Sequence, residues 1–183
     1  METVDLDSLG LAHGDAKQLQ GVIEPDEVRL GGQAYSPQPA ACDFRLDVSR
    51  TSTGFALRLL FEVVLAGPCY RCLEPATVRV NVDAREVDQP PEPMPARTAA
   101  EEEEEDESSA AELESPYVEE GILNLAAWSH DALILSLPNQ IVCRPDCLGL
   151  CAYCGESLNG AEPEAHDHGQ NVDPRWSKLR KLG

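Results

Sequence analysis

The sequence predicts an α+β protein: an antiparallel β-sheet or partly open barrel, a helix after an acidic linker, and a small Cys/His-rich C-terminal extension. Three observations carry this expectation. Alternating apolar and polar residues fill much of the first half. The pattern shifts to helical spacing near residue 122, and four of the seven cysteines crowd into CRPDCLGLCAYC, Cys143 to Cys154. The expected organisation is a β-rich body over 1–87 and an acidic, disordered linker over 88–116. A helix packing on the body over 117–142 and a zinc-binding extension with a basic tail over 143–183 complete it.

Val22 and Ile23 form a short extended candidate, followed by the turn-rich LGGQAYSPQP. In DFRLDVSR, Phe44, Leu46 and Val48 alternate with Asp43, Arg45 and Asp47, the period of a half-buried strand. After TSTG, the branched residues of FALRLLFEVVLAG suit a long strand paired with it as a hairpin. TVRVNVDAREV alternates Val78, Val80 and Val82 with Arg79, Asn81 and Asp83 and reads as a third antiparallel strand. CYRC, Cys69 to Cys72, therefore falls on the connection between two strands. In ILNLAAWSHDALILSLP, Leu125, Trp128, Ala132 and Leu135 recur at helical spacing, and Pro138 stops the helix. Trp128 is expected in the core, His130 as an ordinary helix residue, and Cys42 as a small buried hydrophobe.

The net charge is −19, and its location matters. Asp88 to Glu120 holds 13 acidic residues and one basic residue, Arg97, which contributes −12 and leaves −7 for the rest. That composition has little to bury and suits a solvated spacer. The end, DPRWSKLRKLG, is basic, and Arg175, Lys178, Arg180 and Lys181 are candidate contacts for RNA or another partner. No apolar run approaches the roughly 20 residues of a membrane span. METVDLDSLGLAHGDAK lacks the basic start and apolar core of a signal peptide, so a cytoplasmic location is expected.

A reducing compartment and an odd cysteine count argue against complete disulfide pairing. Structural zinc needs four thiolate or imidazole ligands, and CxxC on a turn supplies two at once. Cys151 and Cys154 with His166 and His168 make one set, with Gly155 permitting a close turn. Cys143 and Cys147 with Cys69 and Cys72 make an all-cysteine second set. A single zinc held by Cys143, Cys147, Cys151 and Cys154 is the competing division. No HExxH, no HxE…PCxxC and no glycine-rich phosphate loop occurs, so no enzymatic activity is expected.

CYRCLEP after an apolar strand, LILSLP closing a helix, CRPDCLGLCAYCGESLN and DPRWSKL together resemble the YceD family. Its members are bacterial and organellar proteins associated with accumulation of large-subunit ribosomal RNA. The resemblance runs from about Leu6 to Leu182, with an acidic insertion in the middle. It implies a non-enzymatic role in large-subunit biogenesis, often with genetic adjacency to a small basic zinc-ribbon ribosomal protein. Shorter members keep the first CxxC and a later cysteine/histidine pair near Cys143 and Cys147, which favours grouping those two with Cys69 and Cys72. Other long members carry cysteines in place of His166 and His168. A body this acidic repels phosphate, so the expected partner is a basic large-subunit ribosomal protein or a precursor particle, with ribosomal RNA contacted secondarily through the basic tail. Two other classes compete: a zinc-dependent transcriptional regulator of the anti-sigma kind, and a thiol-disulfide oxidoreductase.

Overall fold

The computed structural model describes residues 2–89, 114–160, 166 and 168. Residues 90–113 of the acidic linker and the tail residues Arg175, Lys178, Arg180 and Lys181 lie outside them.

The body is built on one long hairpin. β6 (Phe55–Pro68) and β7 (Pro75–Asp88) pair in antiparallel register along their whole lengths, from Phe55↔Asp88 to Pro68↔Pro75. β5 (Cys42–Arg50) pairs with the first half of β6 through a turn closed by Thr51 and Gly54. β2 (Ala16–Ile23) then adds to the outside of β5. β4 (Gln33–Pro37) meets the second half of β6 and forms a small hairpin with β3 (Val28–Leu30). The sheet stays open, with no pairing between β2 and β7, so the barrel alternative is replaced by an open antiparallel sheet.

Strand alternation sorts the side chains as the sequence predicts. Phe44, Leu46, Val48, Leu57, Leu59, Phe61, Val63, Leu65, Val80 and Val82 are buried on one face. The opposite face carries exposed ion pairs, among them Arg58 bonding both carboxylate oxygens of Asp83 at 2.8 and 2.7 Å, and Arg79 with Glu62. The Arg58 guanidinium holds the Asp83 carboxyl below its usual range. Solvent screens such exposed pairs, so they add little and the buried face holds the sheet together.

Helix α1 (Leu125–Ser136) packs along β7. Asn124 caps it by accepting a hydrogen bond from the Ala127 N–H at 3.0 Å. Its buried face is Leu125, Trp128, Ser129, Ala132 and Leu133. Leu135, expected on the same stripe, is 86% exposed. At 3.6 residues per turn it sits about 90° from the centre of that face. The helix also begins later than its apolar pattern, because Ile122–Asn124 are β9, which pairs with β1 (Thr3–Asp5) and β8 (Val118–Glu119). This small sheet ties residues 118–124 to the N-terminus over the core.

Trp128 is buried, as expected, and stacks with Tyr117 at 6.3 Å. Cys42 is only partly buried, because it starts β5 at the rim of the core, and burial pushes its thiol up. At the other end of β5, Gly54 lies where an added Cβ would strike the Asp88 carbonyl oxygen at 1.8 Å. Buried Asp88 accepts a hydrogen bond from the Ser115 N–H at 3.3 Å, so the chain on either side of the acidic stretch meets at one point.

Candidate metal centres

The hairpin turn between β6 and β7 presents Cys69 and Cys72 at the end of the sheet away from Asp88. Buried Tyr35 fixes that end: its hydroxyl donates to the Pro68 carbonyl at 2.8 Å. Gly67 allows the close packing, since a Cβ there would lie 2.4 Å from the Tyr35 ring. After α1, Ile141 accepts from the Tyr70 N–H at 2.8 Å and delivers Cys143 and Cys147 to the same turn.

The four sulfurs of Cys69, Cys72, Cys143 and Cys147 lie within 4.8 Å of one another. Cys69 Sγ and Cys147 Sγ are 3.8 Å apart, and Cys72 Sγ and Cys143 Sγ 3.6 Å. A disulfide needs about 2.05 Å, and all seven cysteines are free. Four thiolates about 2.3 Å from one tetrahedral ion stand roughly 3.8 Å apart. The donor set therefore fits a four-coordinate metal ion.

The second set is Cys151, Cys154, His166 and His168, whose ligand atoms also lie within 4.8 Å of one another. Cys151 Sγ is 3.1 Å from His168 Nε2, and Cys154 Sγ is 3.5 Å from His166 Nδ1. Mixed sulfur and nitrogen ligands around a tetrahedral ion stand about 3.6 Å apart. The fold thus gathers the two sets that ligand spacing grouped, and the single set of Cys143, Cys147, Cys151 and Cys154 is not brought together. His130 belongs to neither and lines a separate cavity.

Both CxxC turns use one backbone template. In CYRCLE, Cys69 N–H donates to the Glu74 carbonyl at 2.7 Å and Leu73 N–H to the Cys69 carbonyl at 3.0 Å. In CAYCGE, Cys151 N–H donates to Glu156 at 2.8 Å and Gly155 N–H to Cys151 at 2.9 Å. The fifth residue is left-handed in each, Leu73 at φ 63° and Gly155 at φ 75°. This turn aims backbone N–H groups at the first sulfur. The Arg71 and Cys143 N–H groups reach Cys69 Sγ at 3.4 and 3.3 Å.

Those donors decide the thiol chemistry. Burial opposes ionisation of Cys69, but the N–H groups of Cys72, Cys143 and Arg71 outweigh it and bring the thiol down to about 6. At Cys151 the N–H groups of Cys154 and Tyr153 outweigh burial and likewise bring it down to about 6. Cys143, half-buried beside the other thiols, is pushed up to about 12 by burial and by those thiols. Each set thus contains a thiol poised as thiolate, the ligating form.

Two residues that ligand spacing does not reveal support the first set. Asn159 donates from Nδ2 to Cys147 Sγ at 3.5 Å and accepts the Leu148 N–H at 2.9 Å. Burial pushes Cys147 up, but Asn159 and the Gly149 N–H prevail and lower it. Arg71 donates to the Cys147 carbonyl at 3.0 Å. Gly149, at φ 83°, passes so close to Arg71 that an added Cβ would lie 3.2 Å from its carbonyl oxygen. The sequence signal for Asn159 is faint: a polar amide a few residues beyond the last CxxC.

The family profile described as "Large ribosomal RNA subunit accumulation protein YceD" matches residues 57–183. The chain belongs to the YceD family. Uncharacterized proteins of Mycobacterium tuberculosis (strain H37Rv) and Mycobacterium bovis are each 35% identical over 182 residues, covering 98% of this chain and 80% of theirs. An uncharacterized protein of Mycobacterium leprae is 39% identical over 66 residues, 36% of this chain and 29% of its own. No solved structure matches. The profile takes in both CxxC turns and both candidate centres, and no helix among the described residues is long and apolar enough to cross a membrane.

Proposed function

We propose that this YceD-family chain is a non-enzymatic, cytoplasmic factor that supports accumulation of large-subunit ribosomal RNA, with two structural zinc ions shaping its docking end. Membership in a family named for that process carries the process. The observation that carries the structural role is that each centre already has four ligands. A catalytic zinc keeps an open position for water or substrate, whereas Cys₄ and Cys₂His₂ sets complete a tetrahedral shell. Zinc suits these donors better than magnesium or calcium, which select oxygen.

The first zinc would clip the β6–β7 turn to the segment after α1, and the second would tie Cys151 and Cys154 to His166 and His168. Net charge favours a basic protein partner over naked RNA, because phosphate meets −19. The partner in this reading is a large-subunit ribosomal protein or a precursor particle that displays one, and the basic tail with Arg175, Lys178, Arg180 and Lys181 makes any RNA contact. Gradient sedimentation of cell extract tests it. The chain should travel with large-subunit precursors, and large-subunit RNA should fall when it is depleted. Enrichment with RNA polymerase or sigma factor, with large-subunit RNA unchanged, would overturn the reading.

A further inference from the structure

The open sheet ends on β2, on the three-residue β3 and on β7. α1 packs against β7, with Trp128 and Ala132 beside Asp83 to Glu86. Among the described strands, β2 pairs with β5. The Arg50 N–H donates to the Asp15 carbonyl at 2.9 Å, which fixes the phase of that ladder. Bonded pairs recur at every second residue, so Lys17, Leu19 and Gly21 face β5 while the backbone groups of Gln18 and Gln20 point outward. Among the described residues, no backbone hydrogen bond reaches Gln18 or Gln20 from outside the ladder. Natural sheets blunt such edges with proline, charge or a covering element. AKQLQGVI has no proline and one charge, Lys17.

The surroundings of this edge are acidic. Asp15, Glu24, Asp26 and Glu27 flank it, and Asp43 and Asp47 stand beside it on β5. At its far end Val22 and Ile23 open into a cavity of about 570 Å³ whose polar wall is Glu2, Glu24, Asp26, Ser129 and His130. Val22, 49% exposed, also borders the shallow depression over Phe44 and Phe61.

We propose that the β2 edge takes an extended, basic segment of a partner protein as an added strand, its backbone bonding Gln18 and Gln20 and a lysine or arginine entering the Glu2–Glu24–Asp26 cavity. Main-chain bonds supply affinity in this mode and alternate side chains supply specificity. Charge selects the occupant: a second copy of this chain would bring −19 against −19, whereas a basic strand meets an edge whose six carboxylates outnumber Lys17 and Arg45, the latter paired with Asp47 at 3.3 Å. The choice of a basic partner agrees with the function proposed above. The edge geometry does not depend on it.

The test uses the zinc-loaded full chain and a fluorescent ten-residue peptide of alternating lysine and valine, with amide NMR. The peptide should shift the Gln18 and Gln20 amides. N-methylation of one alternate set of its residues should weaken binding at least about tenfold, and methylation of the other set should leave it, as one-sided strand pairing requires. Gln20→Pro removes an outward N–H without touching the β5 ladder and should weaken binding about as much. Glu24→Gln with Asp26→Asn should weaken it several-fold and flatten its salt dependence. If Gln20→Pro does not fold, the two methylated peptides decide. Equal binding by both, shifts confined to residues 90–113, or a dimer of the chain that Gln20→Pro dissolves would each overturn the proposal. Sedimentation with ribosomal precursors is a separate readout, so failure here and failure of the functional reading are distinguishable.

Discussion

Asn159 and Cys147 join the two candidate centres: an amide from just beyond the second CxxC turn donates to a sulfur of the first set at 3.5 Å. The same side chain accepts the Leu148 N–H, so it is held at both ends. Groups that bond a ligand from behind orient it and stabilise its charged form. Asn159→Ala should weaken zinc binding at the all-cysteine centre about 10–100-fold. Competition against a chromophoric chelator measures it, and Asn159→Asp, which offers Cys147 an acceptor in place of a donor, should do no better.

Leu73 occupies a left-handed position that Gly155 fills in the second turn. A side chain there costs roughly 1–2 kcal/mol in the folded backbone, partly offset because glycine loses more freedom on folding. Leu73 is largely exposed, so Leu73→Gly gives up little burial. It should raise the unfolding free energy by up to about 1 kcal/mol in urea at saturating zinc. Gly155→Ala should lower it by about 1 kcal/mol, for backbone reasons alone, since no atom lies within 4 Å of the added Cβ.

The Asp88–Ser115 contact bears on the acidic stretch. Residues 90–113 carry nine acidic groups and Arg97, and the body meets itself where they begin and end. Replacing these 24 residues by six of glycine and serine shortens the loop fourfold. Loop-closure entropy then predicts a gain of about 1 kcal/mol in urea unfolding, with the zinc content unchanged. Loss of the cooperative transition would show that the stretch contributes to the core.

Much of this was legible in the residues. The alternation of Phe44, Leu46 and Val48, and of Val78, Val80 and Val82, marked strands because one face of each is buried. β2 was visible only at Val22 and Ile23. An edge strand such as KQLQG needs hydrogen bonds to β5 more than apolar side chains, and Gly21, opposite Phe44, leaves no mark in a hydrophobic pattern. LGGQAYSP read as a turn but carries β4 and the turn of the β3–β4 hairpin, whose buried anchors are only the paired side chains of Val28 and Tyr35. Ile122–Asn124 looked helical because β9 is too short to show its own period. At the centres, ligand spacing carried the grouping. Asn159 and Arg71 escaped because they act through hydrogen bonds to sulfur and carbonyl across chain separations that no local motif encodes.

Metal counting by native mass spectrometry tests the central claim, two independent four-ligand centres, most directly. The purified chain should carry two zinc ions, and Cys72→Ser and Cys154→Ser should each carry one, with Cys72→Ser retaining the ion bound through His166 and His168. A single ion in the unaltered chain, or loss of all metal on Cys154→Ser alone, would contradict it.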